Sequence, residues 1–192
     1  MIKLDQVSKR FDGKQVLHCL NWQMEKGECW KIAGASGVGK TTFLRLLMGL
    51  EIPDSGRITG ADKIRFCPVF QEDRLADTWS AVQNVALVCR GAVQARAVLG
   101  ALLPSDSLEQ PVRTLSGGMR RRVALARALA AEGDVLLLDE PFAGLDERTV
   151  DRACRAIEKY RAGRAVLLVS HGTEELFSAW KVLRLDDGSG IL

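Results

Sequence analysis

Gly34-Ala35-Ser36-Gly37-Val38-Gly39-Lys40-Thr41 is the stretch of this chain whose residue types and spacing point most directly to chemistry. Glycines let the backbone turn its N–H groups inward around phosphate oxygens, and a helix starting behind such a loop adds partial positive charge. The phosphate-binding loop is expected to run from Gly34 through Thr42 and to take Mg-ATP. Lys40 would bridge the β- and γ-phosphates as a point charge, and the Thr41 hydroxyl would coordinate magnesium.

A second group of chemically capable residues follows residues 135–138, an apolar run that reads as a buried strand ending in Asp139 and Glu140. Ligands of open parallel sheets sit at that carboxyl end. Successive side chains on a strand diverge, so Asp139 is free to hold magnesium, usually through water, while Glu140 polarises the attacking water. A third group, Leu115-Ser116-Gly117-Gly118-Met119, opens a helix. Ser116 suits the N-cap, and Gly117 and Gly118 bare backbone N–H groups for an anion. One triphosphate does not need two helix termini from one subunit, so this second device suggests a site shared between chains.

The elements that must position these groups alternate along the chain. Residues 2–33 read as strands, the last of which, residues 29–33, leads into the glycine loop. Residues 42–48 are good helix formers that Gly49 would end. A turn at residues 53–56 and a strand at 64–69 precede residues 80–103, two helical segments broken near Gly91 that look like an insertion. A helix over 116–131, the strand at 135–138, a helix over 146–160 and a strand at 165–169 complete the order, which implies a parallel sheet. On the 146–160 helix, Val150, Ala153, Ile157 and Tyr160 share one face, expected to be core. Arg120-Arg121-Arg122 reads as a solvated or phosphate-adjacent face of its helix rather than a nucleic-acid patch.

With 192 residues, nearly half apolar, the chain can bury one substantial core, and one domain is expected. A net charge of +3 gives no electrostatic footprint for DNA or RNA, and no nucleic-acid partner is expected. No apolar run approaches a bilayer-spanning length, and Met1-Ile2-Lys3-Leu4-Asp5 has no signal-peptide architecture. Five scattered cysteines without a CxxC pair argue against a disulfide framework or a zinc site and suit a reducing cytoplasm.

These segments, in this order, resemble the nucleotide-binding subunit of an ABC transporter over essentially the whole chain. The resemblance implies an α/β fold: a P-loop NTPase core with a parallel sheet, an N-terminal antiparallel β-subdomain and an inserted α-helical subdomain. Residues 1–192 would form a single ABC ATPase domain, with 1–70 and 126–192 as nucleotide-binding core and 71–125 as the helical part. By the same resemblance, residues 115–119 are the signature that completes the ATP site of a second copy in an ATP-dependent head-to-tail dimer. Gln71 matches the Q-loop residue that reaches magnesium and senses the membrane partner. Residues 143–146 resemble the D-loop, His171 the switch histidine at the γ-phosphate, and Phe11 the aromatic residue that stacks on adenine. Met119 departs from the glutamine that usually ends the signature, removing a side-chain hydrogen-bonding group, and Ala143-Gly144 replaces the commoner Ser-Ala. A minimal subunit is expected, ending soon after Gly188 with no regulatory extension.

The implied function is ATP-driven closure of two copies, reopened by hydrolysis, with the motion passed to separate integral membrane permease subunits. The chain would then be cytoplasmic and peripheral on the inner face of the cell membrane, with a solute-binding protein in a complete import system. Val69-Phe70-Gln71-Glu72, followed by Leu75, Trp79, Val82 and Asn84-Val85, resembles the ATPase subunits of nitrate, sulfonate, taurine and thiamine-precursor importers. The same motifs also serve ABC ATPases of mechanical work, such as lipoprotein release or cell-division signalling. A soluble ABC ATPase acting on ribosomes or DNA is disfavoured by the single cassette and the lack of a long heptad insertion.

Overall fold

The structure is a computed structural model that describes residues 1–170, 177–186 and 189–191. Its N-terminal part is a three-stranded antiparallel sheet. β1 (Ile2–Phe11) and β2 (Lys14–Met24) pair through a two-residue turn, Asp12-Gly13, whose residues both have positive φ, 48° and 80°. That backbone handedness matches the twist of paired strands. β4 (Ser55–Thr59) pairs with the other edge of β1, giving the order β2-β1-β4.

The second sheet carries the chemistry. β3 (Cys29–Ala33), β5 (Phe66–Val69), β6 (Val135–Asp139), β7 (Ala165–Val169), β8 (Lys181–Asp186) and β9 (Ser189–Ile191) lie in the order β5-β6-β7-β3-β8-β9. All neighbours are parallel except β8 and β9. β6 and β7 are buried at every residue, as parallel strands covered on both faces must be. β8 and β9 are additions to the elements anticipated above, so β3 sits inside the sheet and not at its edge, and β7 is not the last strand of the chain.

Because side chains alternate across a strand, the sheet feeds two cores. Val135, Leu137, Leu167 and Val169 face Ile32, Phe43, Trp22 and the N-terminal strands. There Trp22 stands edge-on to Trp30 and Phe43, at centroid distances of 5.5 and 5.1 Å. Leu136, Leu138, Val166 and Leu168 face the helices.

α1 (Lys40–Leu47) follows β3 and ends at Gly49, whose φ is 67°. α2 (Ala81–Ala86) begins with a capping box, in which the Ser80 hydroxyl and the Gln83 side chain bond reciprocally to backbone N–H groups. α3 (Ala92–Gly100) starts after Gly91, where the two helical segments break. α4 (Gly117–Ala130) joins the helical stretch to the parallel sheet, packing against α2, α3, β5 and β6. α5 (Glu147–Arg161) buries Ala153 and Ile157, while Val150 and Tyr160 are half-buried on the same face. Buried Asn84 fastens the preceding loop: its carbonyl accepts from Ala76 N–H, and its amide donates to the carbonyls of Ala76 and Ser80. Such satisfaction is what a buried amide requires. The fold is thus α/β, a mostly parallel sheet with the antiparallel β layer and α1 on one side and α2 to α5 on the other. Among the described residues, no helix is long and apolar enough to cross a membrane, and all five cysteines are free.

Candidate nucleotide-binding site

The glycine loop joins the carboxyl end of β3 to α1, next to the carboxyl ends of β6 and β7. Two of its glycines are dictated by space as well as by backbone conformation. Gly34 has φ 143°, and a Cβ there would lie 2.4 Å from the Leu185 carbonyl oxygen. Gly39 has φ 111°, and a Cβ would lie 2.8 Å from Val16 Cγ1. Gly39 is also the N-cap of α1 and supplies no side-chain acceptor to the first turn. That leaves the turn's N–H groups to an external anion.

Lys40 is buried, and its ammonium donates to the carbonyls of Gly34 (2.8 Å) and Ala35 (2.9 Å). The Thr41 hydroxyl donates to Asp139 Oδ2 at 2.9 Å. Burial pushes the Asp139 carboxyl above the usual range, against the Thr41 hydrogen bond and the charges of Arg121 and Lys40. Glu140 follows in a left-handed backbone conformation, φ 50°, with its N–H donated to the Val169 carbonyl at 2.9 Å. Non-glycine residues seldom adopt that region, and functional sites are where such strain concentrates.

A cleft of about 350 Å³ lies over these groups, lined by Ser36, Gly37, Gly39, Lys40, Thr41, Thr42, Gln71, Asp139 and Glu140. The fold therefore brings together most of the residues singled out in the sequence. Gly34, Ala35 and Val38 form the loop's back: Val38 packs on the N-terminal core and donates its N–H to the Ala35 carbonyl. Phe11 does not line this cleft. It sits at the end of the β1-β2 hairpin, 40% exposed, with the Lys9 ammonium 5.0 Å from its ring centroid. His171 lies outside the described residues.

Ser116, Gly117 and Gly118 open α4 and do not line the cleft either. The Ser116 hydroxyl accepts from Met119 N–H at 3.3 Å, as an N-cap does. A Cβ on Gly118 would lie 3.1 Å from Leu145 Cδ2 and 3.3 Å from the Gly144 carbonyl oxygen, so residues 143–146 crowd this helix start. Asp146 caps α5, accepting from the Thr149 N–H and hydroxyl, which hold its carboxyl below the usual range. Met119 is half-buried against the helical core, which accounts for an apolar residue at that position.

The arginine triplet differs from the solvated or phosphate-adjacent face expected of it. Arg120 pairs with Asp77 at 2.8 Å, and Arg122 donates to the Leu102 carbonyl at 2.8 Å. Arg121 is 4% exposed, and its guanidinium donates to the backbone carbonyls of Phe70, Gln71, Asp139 and Glu140 and to the Asp73 carboxylate. One signal in the sequence marks it: Arg121, Ala124, Leu125 and Ala128 fall at the i, i+3, i+4, i+7 positions of one helix face, and all four are buried.

A glycine loop opening a helix, with a threonine bonded to a strand-end aspartate beside a glutamate, defines a P-loop nucleotide hydrolase. A family model described as ABC transporter matches residues 17–143. The chain belongs to the ABC transporter family, as an ATPase subunit. It is 42% identical to the aliphatic sulfonates import ATP-binding protein SsuB 1 of Pseudomonas fluorescens, over 97% of this chain and 74% of that protein. It is 36% identical to the taurine import ATP-binding protein TauB of Pseudomonas aeruginosa, over 93% and 74%. It is 35% identical to a Nod factor export ATP-binding protein I of Burkholderia pseudomallei, over 91% and 64%. Among solved structures, the ATP-binding cassette MJ0796, a dimer in a post-hydrolysis state bound to ADP and Pi, superposes with a TM-score of 0.86 at 26% identity. That match covers 100% of this chain and 97% of the neighbour.

Proposed function

We propose that this ATPase energises import of a small sulfonate-bearing solute, of the aliphatic sulfonate or taurine class, through separate membrane permease subunits. The observation that carries the chemistry is the convergence of Lys40, Thr41, Gln71, Asp139 and Glu140 on one cleft. Import is favoured over export by identities of 42% and 40% to sulfonate-import proteins against 35% to an export protein.

In this reading the loop from Gly34 to Thr42 binds the phosphates, and Lys40 turns from the loop carbonyls toward the β- and γ-phosphates. Phosphoryl transfer is mainly a positioning and electrostatic problem, and Glu140 orients the attacking water. The Thr41 hydroxyl and Asp139 carboxylate form an all-oxygen donor set that fits magnesium, with Gln71 beside them. When bound, the ion would neutralise charge on the phosphate oxygens. Phe11 would stack on adenine, and His171 would contact the γ-phosphate. Ser116, Gly117 and Gly118, which lie off the cleft, would complete the site of a second copy in a head-to-tail dimer. The dimeric neighbour at 26% identity supports that assembly.

Residues 71–125 would form the helical part that meets the permease, on the inner face of the membrane, with a solute-binding protein completing the system. Exposed Trp79 and Leu87 on that stretch, and Leu50 beside Gln71, support a docking surface there. Affinity purification of the chain from native membranes after mild crosslinking tests the proposal. A multi-spanning permease with a solute-capture protein is the expected catch; ribosomes, DNA or a division complex alone would overturn transport and leave the ATPase standing.

A further inference from the structure

Arg121 bridges two separate segments, residues 70–73 and 139–140, with one planar group. Its Nε donates to the Glu140 carbonyl at 3.0 Å, and Nη2 donates to the same oxygen at 2.7 Å and to the Asp139 carbonyl. Nη1 donates to the Phe70 carbonyl at 2.5 Å and the Gln71 carbonyl at 3.2 Å, and pairs with Asp73 at 3.1 Å. The guanidinium fork is rigid and always charged, so acceptors bound to it are fixed relative to each other. Apart from the Asp73 carboxylate, those acceptors are the main chain at the ends of β5 and β6 that carries Gln71, Asp139 and Glu140.

The Glu140 backbone is where that fixing matters. Its positive φ is unfavourable for a residue with a Cβ and persists only where the surroundings over-determine it. Both of its main-chain polar groups are anchored: the N–H to Val169 on β7, and the carbonyl to Arg121 on α4 and, within its own turn, to the Ala143 N–H at 3.2 Å. Without the guanidinium that carbonyl keeps only the Ala143 N–H bond, which ties it to its own turn and to no other element, so the strained peptide unit is less constrained and the carboxylate less firmly aimed at the cleft. Arg121 also lies one turn inside the helix opened by Ser116, Gly117 and Gly118.

We infer that Arg121 is a positioning residue for hydrolysis, holding the Glu140 carboxylate and the Gln71 backbone in register with the start of α4. The inference rests on the reading of Glu140 as the residue that orients water. Arg121 itself touches neither nucleotide nor water in this role.

The test is steady-state ATP hydrolysis and ATP binding by the full chain carrying Arg121→Lys or Arg121→Gln, beside Asp73→Asn. Lysine keeps the charge but not the fork. The Asp73 variant removes the ion pair and leaves the bonds to Glu140. For both Arg121 variants kcat is expected to fall by about tenfold or more while ATP affinity stays within about twofold, the signature of misplacement rather than lost binding. Asp73→Asn is expected to stay near the unmodified rate. Undiminished kcat in both Arg121 variants would overturn the inference. So would unfolding of both, or loss of binding in proportion to rate, which would make the residue structural only. The role of Glu140 stands or falls separately, on Glu140→Gln.

Discussion

Thr41 and Asp139 lie 98 positions apart in the chain, yet the Thr41 hydroxyl donates to Asp139 Oδ2 at 2.9 Å. The contact joins the first turn of α1 to the last residue of β6 and sets the two oxygen donors side by side. Thr41→Val keeps the shape and removes the hydroxyl. Magnesium-dependent hydrolysis is expected to fall by about a hundredfold, the scale of losing one preorganised electrostatic partner. Titrating magnesium against rate checks this, and an unchanged magnesium dependence would contradict it.

Glu28 anchors β8 to β3. Burial opposes its charge, but bonds from Lys181, Glu25 N–H and the Trp30 indole outweigh burial and lower its pKa from 4.5 to about 2. A depressed carboxylate stabilises the fold fully above its unfolded pKa and loses that contribution as pH falls through its folded pKa. Stability should therefore decline between about pH 4.5 and 2. Glu28→Gln should be less stable than the unmodified chain at neutral pH and show a shallower decline across that window. Urea unfolding at stepped pH reads both, and parallel pH curves would contradict the assignment.

The cysteines should react unequally. Burial, and to a lesser degree Asp151, pushes the Cys154 thiol up to about 12, and burial also raises Cys29, Cys67 and Cys89. Cys19 is exposed. Since the thiolate is the nucleophile, brief alkylation of the native chain near neutral pH should label Cys19 first. Peptide mass spectrometry showing Cys154 labelled as fast would mean the helical core opens readily.

How much of this could be read from sequence depends on the range of the physics involved. The glycine loop, the Asp139-Glu140 strand end and the Ser116 cap are local patterns, and the structure places them on the elements expected. Arg121 was hidden in a run of three arginines, where charge suggested solvent. Its buried role follows from helix phase and from acceptors 18 to 51 residues away. β8 is not legible in the sequence although Val182, Leu183 and Leu185 flank charged Lys181 and Arg184. Its short alternation becomes decisive only when β3 offers a parallel edge. Phe11 shows the reverse: only the family resemblance points to stacking on adenine, and its place on a hairpin end, off the cleft, leaves that contact to a bound nucleotide.

Hydrolysis and assembly by Glu140→Gln, with Lys40→Ala beside it, are the most direct measurement of the ATPase site. Glu140→Gln should bind ATP, hydrolyse it about a hundredfold or more slowly, and accumulate as a dimer with ATP in light scattering after gel filtration. Lys40→Ala should lose nucleotide binding. A Glu140→Gln chain that hydrolyses ATP at the unmodified rate would contradict the assignment of Glu140, and undiminished ATP affinity in Lys40→Ala would contradict the phosphate-binding loop itself.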